Sequence, residues 1–200
     1  MRGSKSSVAL AGLLTAAGLA LSSCSLMPVA DDEAPLPKQE ARIAVPKQGF
    51  PSIDPELARE VRDSLAEKLG EEDRPTRNVD VVASKRIETL ARGEADVTYG
   101  CLGEMLDLLD ANAADQLRYD YSQDDEKDQV AWRNSTAAVL QGVLPNEFAL
   151  TFPGEVQSCK DDSLPQNFVM VYRTSLMDRE DKGQLHEIIG EDFTQRAATE

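Results

Sequence analysis

An alternation of short apolar runs with segments of helical spacing, across the first half of the chain, constrains the fold more than any other feature. In chain order they are Arg42–Val45, Asp54–Gly70, Val79–Ala83, Lys85–Arg92, Ala95–Tyr99 and Met105–Ala114. Such apolar runs are typical of buried strands, and strands separated by helices are parallel and joined by right-handed crossovers. The pattern predicts an open α/β sheet with crossover helices. Its ligand is expected outside the carboxyl ends of the strands, at the loops beginning at Pro46 and Gly100.

The second half of the chain is less regular. Residues Asp120–Asp128 are polar and acidic and are expected to form an exposed crossing between two lobes. Strands are expected at Phe148–Phe152 and Asn167–Tyr172, and terminal helices at Met177–Ile189 and Glu191–Ala197. These elements are expected to form a smaller second lobe and a return to the sheet.

The first residues have the pattern of an export signal. A basic start is followed by an apolar run from Val8 to Leu21 and then by Ser22-Ser23-Cys24. The run is shorter than the roughly 20 residues that a helix needs to span a bilayer, but it fits a secretory signal peptide. Leu21 to Cys24 resemble the lipobox of bacterial lipoproteins. That resemblance implies a diacylglyceryl group on Cys24 and a place at the extracytoplasmic face of the membrane; the alternative is an ordinary secretory signal.

The cysteines are compatible with an oxidising compartment. With Cys24 lipidated, Cys101 and Cys159 remain, and a structural disulfide between them is expected. Two inert buried thiols or a reactive pair are the alternatives, although no Cys-x-x-Cys spacing favours redox catalysis.

The charge balance argues against one class of partner. Thirty-six acidic residues face 21 basic ones, for a formal net charge of −15. A surface this acidic repels phosphate backbones, so a nucleic acid partner is not expected.

Side chains that could carry catalysis are sparse. The lone histidine, His186, lies on a predicted amphipathic helix and is expected at its surface. Glu104, Asp107 and Asp110 share one helical face, where a solvated acidic stripe is favoured over a catalytic pair. The chain also has no Gly-x-Ser-x-Gly motif and no phosphate-binding glycine loop. We therefore expect no enzyme, no cofactor and no metal site.

The segment Leu90–Gly100, with its Gly93-Glu94-Ala95-Asp96 turn, resembles the solute-binding proteins of ABC transporters, in which this segment lies beside the ligand cleft. Among these it is most similar to the glycine betaine, choline and osmoprotectant-binding family. The loop Ile43–Phe50, Gly103 and the late segment Leu164–Arg173 match in the same order. The resemblance implies a shortened binding-protein fold and a cation held by aromatic rings.

The resemblance also implies a set of ligand-binding residues. The cleft candidates are Lys47, Gln48, Phe50, Tyr99, Gly100, Glu104, Gln166 and Asn167. The candidate cage aromatics are Phe50, Tyr99, Trp132, Phe148 and Tyr172, of which Phe148 and Tyr172 are favoured as core residues. Phe50 and Tyr99 are favoured for the cage because they lie at or beyond predicted strand ends. Each polar candidate could instead cap a turn.

Two functional hypotheses follow. The first is a lipid-anchored protein that delivers a small zwitterionic or cationic solute, such as a betaine, to an ABC permease. The second is a binding fold that has lost its small ligand and serves as a protein-interaction module of the cell envelope. In both, a signal peptide (1–23) and a flexible tether (24–40) precede the domain 41–200. Its first lobe spans about 41–118, its second about 119–165, and a return segment with terminal helices 166–200.

Overall fold

A five-stranded mixed sheet organises the protein. The computed structural model describes residues 38–71, 74–154, 159–164 and 167–192. The strands are β1 (Ala41–Pro46), β2 (Thr76–Val81), β3 (Val97–Cys101), β4 (Phe148–Leu150) and β5 (Phe168–Arg173), in the spatial order β2-β1-β3-β5-β4. Strand β1 is parallel to β2 and β3, and β5 is antiparallel to β3 and β4. The predicted α/β open sheet is confirmed.

Helices cover both faces of the sheet. They are α1 (Pro55–Glu71), α2 (Arg86–Ala91), α3 (Leu102–Leu109), α4 (Ala111–Gln123), α5 (Gln129–Val143) and α6 (Arg179–Glu187). Helices α1 and α6 pack on one face, and α2 to α5 contribute side chains to the core on the other. Strand β3 is buried along its whole length, because it lies between these two cores.

Helix α1 illustrates how local sequence and burial agree. The Asp54 carboxylate accepts a hydrogen bond from the backbone N–H of Glu56 at 2.7 Å, and Pro55 occupies the first turn, where its missing N–H costs nothing. Val61, Leu65 and Leu69 are fully buried at four-residue spacing. The predicted helix is confirmed.

One predicted helix is wrong in its extent. The segment Met105–Ala114 was expected to be continuous, but α3 ends at Leu109 and α4 begins at Ala111. Asp110 separates them, and its carboxylate accepts from the backbone N–H of Ala113 at 3.0 Å as the N-cap of α4. Helix α4 also extends to Gln123, into the expected polar crossing.

The helices and strands of the second half of the chain pack into the same sheet and helix layers as those of the first half. The segment 119–165, expected as a second lobe, supplies α5, which packs on α3 and α4, and β4, which pairs with β5. The late strand is confirmed as β5, and α6 matches the first terminal helix. The signal peptide, Cys24, Gln166 and most of the second terminal helix lie outside the described residues.

The expected disulfide is confirmed. Cys101 and Cys159 are bonded, with their Cα atoms 6.1 Å apart and a sequence separation of 58. Closing a loop of this length contributes about 4 kcal/mol in the chain-entropy model. The bond ties the carboxyl end of β3 to a segment whose Lys160 N–H donates to Ser52 O at 3.0 Å, in the loop after β1. In the part of the chain that the structure describes, no helix has the length and apolar character to cross a bilayer.

Candidate functional site

A pocket of about 630 Å³ lies where β1 and β2 end. It is lined by the loop after β1, Lys47–Pro51, and by Asp80–Ser84, from the end of β2 into the following turn. The chain leaves β1 toward α1 on one face of the sheet and leaves β2 toward α2 on the other. A crevice between such opposite exits is where open α/β sheets bind ligands, and the volume is within the range of small-molecule sites.

The pocket has an apolar wall and a charged rim. Phe50, Val81 and Val82 contribute apolar surface, and Val82 is 63% exposed. At the rim, Lys47 Nζ lies 3.5 Å from Asp80 Oδ2, and both side chains are about two-thirds exposed. A solvent-exposed ion pair of this kind adds little stability. The rim is therefore free to exchange this pairing for contacts with a ligand.

A glycine shapes the loop after β1. The N–H of Gly49 donates to the carbonyl of Pro46 at 3.1 Å, and Gly49 has a φ of 77°. This left-handed conformation is easily reached only without a Cβ. The turn precedes Phe50, whose ring is buried although it borders the pocket.

A buried arginine lies behind the pocket lining. Arg86, the first residue of α2, is fully buried, and its Nη2 lies 2.8 Å from Glu104 Oε1 of α3. Its Nη1 donates to the carbonyl of Ala83 at 2.7 Å, and its Cζ lies 5.4 Å from the centre of the Phe50 ring. The guanidinium thus contacts two residues that line the pocket.

This ion pair is incomplete. Among the described residues, Arg86 Nε and Glu104 Oε2 are buried without any hydrogen-bond partner. Burial lowers the pKa of Arg86, and the Glu104 carboxylate opposes that shift. A buried charge without its full set of hydrogen bonds is costly, and such groups concentrate at functional sites.

Gly100 makes room for the guanidinium. A Cβ at this position would lie 2.9 Å from Arg86 Nη2 and 3.3 Å from Met105 Cε. Gly100 is buried in β3 and does not line the pocket, so its expected ligand contact is replaced by a packing role.

The other cleft candidates separate into two groups. Lys47, Gln48 and Phe50 line the pocket together, whereas Glu104 lies behind it, paired with Arg86. Asn167 is buried away from it, and its side-chain amide donates to Gly154 O at 2.6 Å. This hydrogen bond holds the segment after β4 against the start of β5.

Tyr99 is a core residue. Strand β3 continues to Cys101, so Tyr99 lies inside the strand and not at its end. Its side chain is fully buried, its hydroxyl donates to Ala58 O at 2.7 Å, and its ring centre lies 4.6 Å from that of Phe50. Burial raises the pKa of Tyr99 far above its ordinary value. Tyr99 therefore does not line the pocket.

The remaining candidate cage aromatics are dispersed. Trp132 packs against Tyr121, with ring centres 5.4 Å apart, between α5 and α4. Phe148 lies beneath the guanidinium of Arg173 at 4.9 Å, and Tyr172 is buried in β5. Phe50 alone of the five candidates lines the pocket, so the expected aromatic cage is not formed.

The predicted acidic stripe is also wrong. Glu104 pairs with Arg86, Asp107 accepts two hydrogen bonds from Arg118, and Asp110 caps α4. Each of these side chains thus has a contact within the protein, although one oxygen of Glu104 has no hydrogen-bond partner among the described residues. Within the described residues, no group of three or more histidine, cysteine and acidic side chains is arranged to hold a metal ion.

The Gly93–Asp96 turn lies at the amino end of β3, opposite the end of the sheet where the pocket is. Asp96 is fully buried just before β3 and accepts from Arg42 through Nε at 2.8 Å, Nη2 at 2.7 Å and the backbone N–H at 2.9 Å. Gly93 adopts a φ of 70°. The motif thus clamps β3 to β1 at their amino ends instead of facing the pocket.

Sequence reasoning missed Arg86. The signal was its spacing: Arg86 precedes Leu90 by four residues, so it lies on the buried stripe of its helix together with Ile87. A basic residue on an apolar stripe indicates a buried charge that needs a partner.

A second, smaller groove of about 360 Å³ runs beside β4 at the edge of the sheet. Ala137, Ala138 and Leu150 line it together with Phe152, which is 80% exposed. The backbone N–H of Phe152 donates to Nδ1 of His186 at 3.3 Å, so this half-buried histidine closes one end of the strand edge.

No family model matches the chain, and neither a curated protein nor a solved structure is significantly similar to it.

Proposed function

We propose that this protein is a lipid-anchored extracytoplasmic binding protein. It holds a small solute in the pocket between the β1 and β2 loops and presents it to an ABC permease. The observation that carries the proposal is the pocket itself, at the carboxyl ends of parallel strands and in front of a buried arginine. The function is selective binding and release, without covalent chemistry.

The proposed lipid anchor and extracytoplasmic location rest on the sequence, and the disulfide supports the location. The residues ending at Cys24 fit a lipoprotein signal, and the Cys101–Cys159 disulfide suits an oxidising compartment. A Cys24→Ser variant should lose incorporation of an alkyne-tagged fatty acid and leave the membrane fraction. Continued labelling of that variant would contradict the anchor.

The solute class follows from the resemblance and from the pocket together. The resemblance suggests a betaine or choline, but an aromatic cage for a quaternary ammonium is not assembled at the pocket. The proposal therefore keeps a small dipolar solute and assigns its recognition to groups other than aromatic rings.

A thermal-shift screen of the intact, oxidised lipoprotein tests the proposal. The panel consists of betaines, choline, carnitine and the standard amino acids. A ligand at about 100 times its Kd adds about 2.7 kcal/mol, which raises the Tm by several degrees. The matched variants are Val82→Trp, which fills the pocket from an exposed position, and Val130→Trp, which adds the same ring to an exposed position on α5.

The shift should disappear in Val82→Trp and persist in Val130→Trp. A folded protein that responds to no compound would contradict the proposal, as would a shift that survives in Val82→Trp.

A protein-interaction module is the second candidate. It is favoured by the apolar groove beside β4, with Phe152 80% exposed at its rim. A photo-crosslinking amino acid at position 152 should then capture a defined envelope protein in intact cells, whereas the same amino acid at exposed Tyr119 should not. Equal labelling at both positions would argue against a specific surface.

A further inference from the structure

Two buried ion pairs elsewhere in the protein have fully hydrogen-bonded carboxylates. Asp96 receives three hydrogen bonds from Arg42. Asp181 receives Arg74 Nε at 3.0 Å on one oxygen, and Arg74 Nη2 at 2.7 Å and the N–H of Asp178 at 2.9 Å on the other. Every oxygen of these two carboxylates therefore has a partner.

The Arg86–Glu104 pair behind the pocket is not fully hydrogen-bonded. Arg86 Nη2 and Glu104 Oε1 lie 2.8 Å apart as an ion pair. Two nitrogens of Arg86, Nε and Nη2, and one oxygen of Glu104, Oε2, have no hydrogen-bond partner among the described residues. The Arg86 side chain has no exposed surface, and that of Glu104 is 15% exposed. Because unpaired buried polar groups are costly, their persistence calls for a partner outside the chain.

Two of the unpaired atoms, Arg86 Nε and Glu104 Oε2, define the chemistry of that partner. Arg86 Nε is a charged donor and needs an anionic acceptor, whereas Glu104 Oε2 is a charged acceptor and needs a donor. The pair is neutral as a whole, so a simple anion would be repelled by Glu104 and a simple cation by Arg86. A zwitterion with both groups on one small molecule satisfies both atoms without adding net charge.

The nitrogen of this zwitterion must carry hydrogens. A quaternary ammonium has no N–H to donate, so it would leave Glu104 Oε2 unpaired. A primary or secondary ammonium would fill it. This requirement separates amino acids from betaines, which have the same carboxylate.

Access to the pair is through the pocket lining. The Phe50 ring contacts the guanidinium and lines the pocket, and Ala83, which accepts from Arg86, also lines the pocket. A shift of the Phe50 side chain is therefore the short route from the pocket to the pair.

We infer that the pocket takes a small zwitterion of the amino acid class, with its carboxylate on Arg86 and its N–H-bearing ammonium on Glu104. This inference rests on the proposed function, because it names the solute class of the same pocket.

A series of probes tests the inference with the intact protein. Glycine, sarcosine, N,N-dimethylglycine and glycine betaine keep one carboxylate and lose one N–H donor at each step. Calorimetry should show affinity falling along the series, with glycine bound at least about tenfold more tightly than glycine betaine. Acetate and methylammonium, which each carry one of the two charges, should bind more weakly than glycine.

Each other result has a defined meaning. Tighter binding of glycine betaine, abolished by Val82→Trp, would overturn the inference and leave the binding function intact. Equal affinity for all four probes would also overturn the inference and leave the binding function intact. Binding of no probe and of no compound in the thermal-shift panel would overturn the inference and the proposed function together, whereas binding of choline or carnitine alone would overturn only the inference.

Variants assign the preference to the pair itself. Glu104→Gln keeps the size of the side chain and should reduce the discrimination between glycine and glycine betaine at least about tenfold. The double variant Arg86→Met with Glu104→Leu should stay folded and should bind neither glycine nor glycine betaine. The matched control is Glu88→Gln with Arg92→Met, an exposed pair on the same helix 3.1 Å apart, which should bind like the wild type.

A spectroscopic readout separates binding from a merely structural role. The side-chain Nε–H resonance of Arg86 should move on addition of glycine, and should move only at correspondingly higher concentrations of glycine betaine, because both carry the carboxylate but glycine betaine binds more weakly. A resonance that glycine does not move, in a protein that binds glycine, would overturn the assignment of Arg86.

Discussion

Buried ion pairs lie at both ends of strand β3, and they differ in how completely they are bonded. At the amino end, Asp96 accepts three hydrogen bonds from Arg42 of the neighbouring strand. Beyond the carboxyl end, Arg86 packs on Gly100 and makes one contact with Glu104, and a charged atom of each partner lacks a hydrogen bond among the described residues.

The difference indicates which of the two pairs contributes to stability and which is the candidate for ligand binding. A buried ion pair offsets its desolvation only when its geometry is good and its remaining polar atoms are bonded. The Arg42–Asp96 pair meets that condition, and it also fixes a backbone N–H of β1. The Arg86–Glu104 pair does not, and it alone of the two borders a pocket.

The largest effect is expected from breaking the complete pair. Asp96→Asn keeps the shape of the side chain but removes the charge that three donors of Arg42 share. Breaking one side of a buried pair costs about 3–5 kcal/mol, and the lower end is expected because Arg42 is one-quarter exposed. Urea unfolding measures the loss.

Asp80→Asn is the matched control, because its partner Lys47 is exposed and the expected change is below about 1 kcal/mol. Equal stability losses in the two variants would remove the distinction between a buried clamp and a surface pair.

Replacing both partners should give opposite signs at the two ends. Arg86→Met with Glu104→Leu removes two incompletely bonded charges, and the stability should be unchanged or increased by about 1–4 kcal/mol. Arg42→Met with Asp96→Leu leaves the N–H of Arg42 without its carboxylate acceptor and should cost about 1–3 kcal/mol. Denaturation midpoints at constant m-value report both. A marked loss from the first double variant would show that this pair, too, stabilises the fold.

Elements with a buried face could be predicted from the sequence, whereas polar edges could not. Helix α1 follows from regular apolar spacing, and strand β5 follows from its richness in β-forming residues. Strand β2 begins at Thr76, three residues before the apolar run, because an edge strand exposes Arg77 and Asn78 and so lacks a hydrophobic signal. The break between α3 and α4 depends on a single capping residue, Asp110.

The position of the candidate pocket could be predicted from the sequence, but the full set of residues that line it or lie behind it could not. The rule that ligands bind beyond the carboxyl strand ends identified Lys47, Gln48 and Phe50, because loop position follows from strand order. Tyr99 was misplaced because Gly100 and Cys101 extend β3 by pairing with β5, a contact between residues distant in sequence. Arg86 needed a partner on another helix to become recognisable.

A smaller effect is expected at Tyr99. Tyr99→Phe removes the hydroxyl that donates to Ala58 O and should cost about 1 kcal/mol, because one buried hydrogen bond is lost and the ring packing is kept. Exposed Tyr119→Phe should leave the unfolding midpoint unchanged. If Tyr99→Phe also abolishes solute binding at equal stability, Tyr99 belongs to the site and not to the core that separates the two ends of β3.

The smallest effect concerns His186, which closes the edge of β4 away from both ion pairs. Its Nδ1 accepts from the N–H of Phe152, so the imidazole is neutral there, and burial lowers the pKa of His186 below its ordinary value of 6.5. As the pH falls from about 7 to about 5, the unfolded chain binds this proton more readily than the folded protein, and stability decreases. His186→Gln retains an acceptor for Phe152 and removes the titration. Urea midpoints measured across this range should therefore fall less steeply for His186→Gln than for the wild type. Parallel curves would show that the titration of His186 does not contribute to the acid sensitivity.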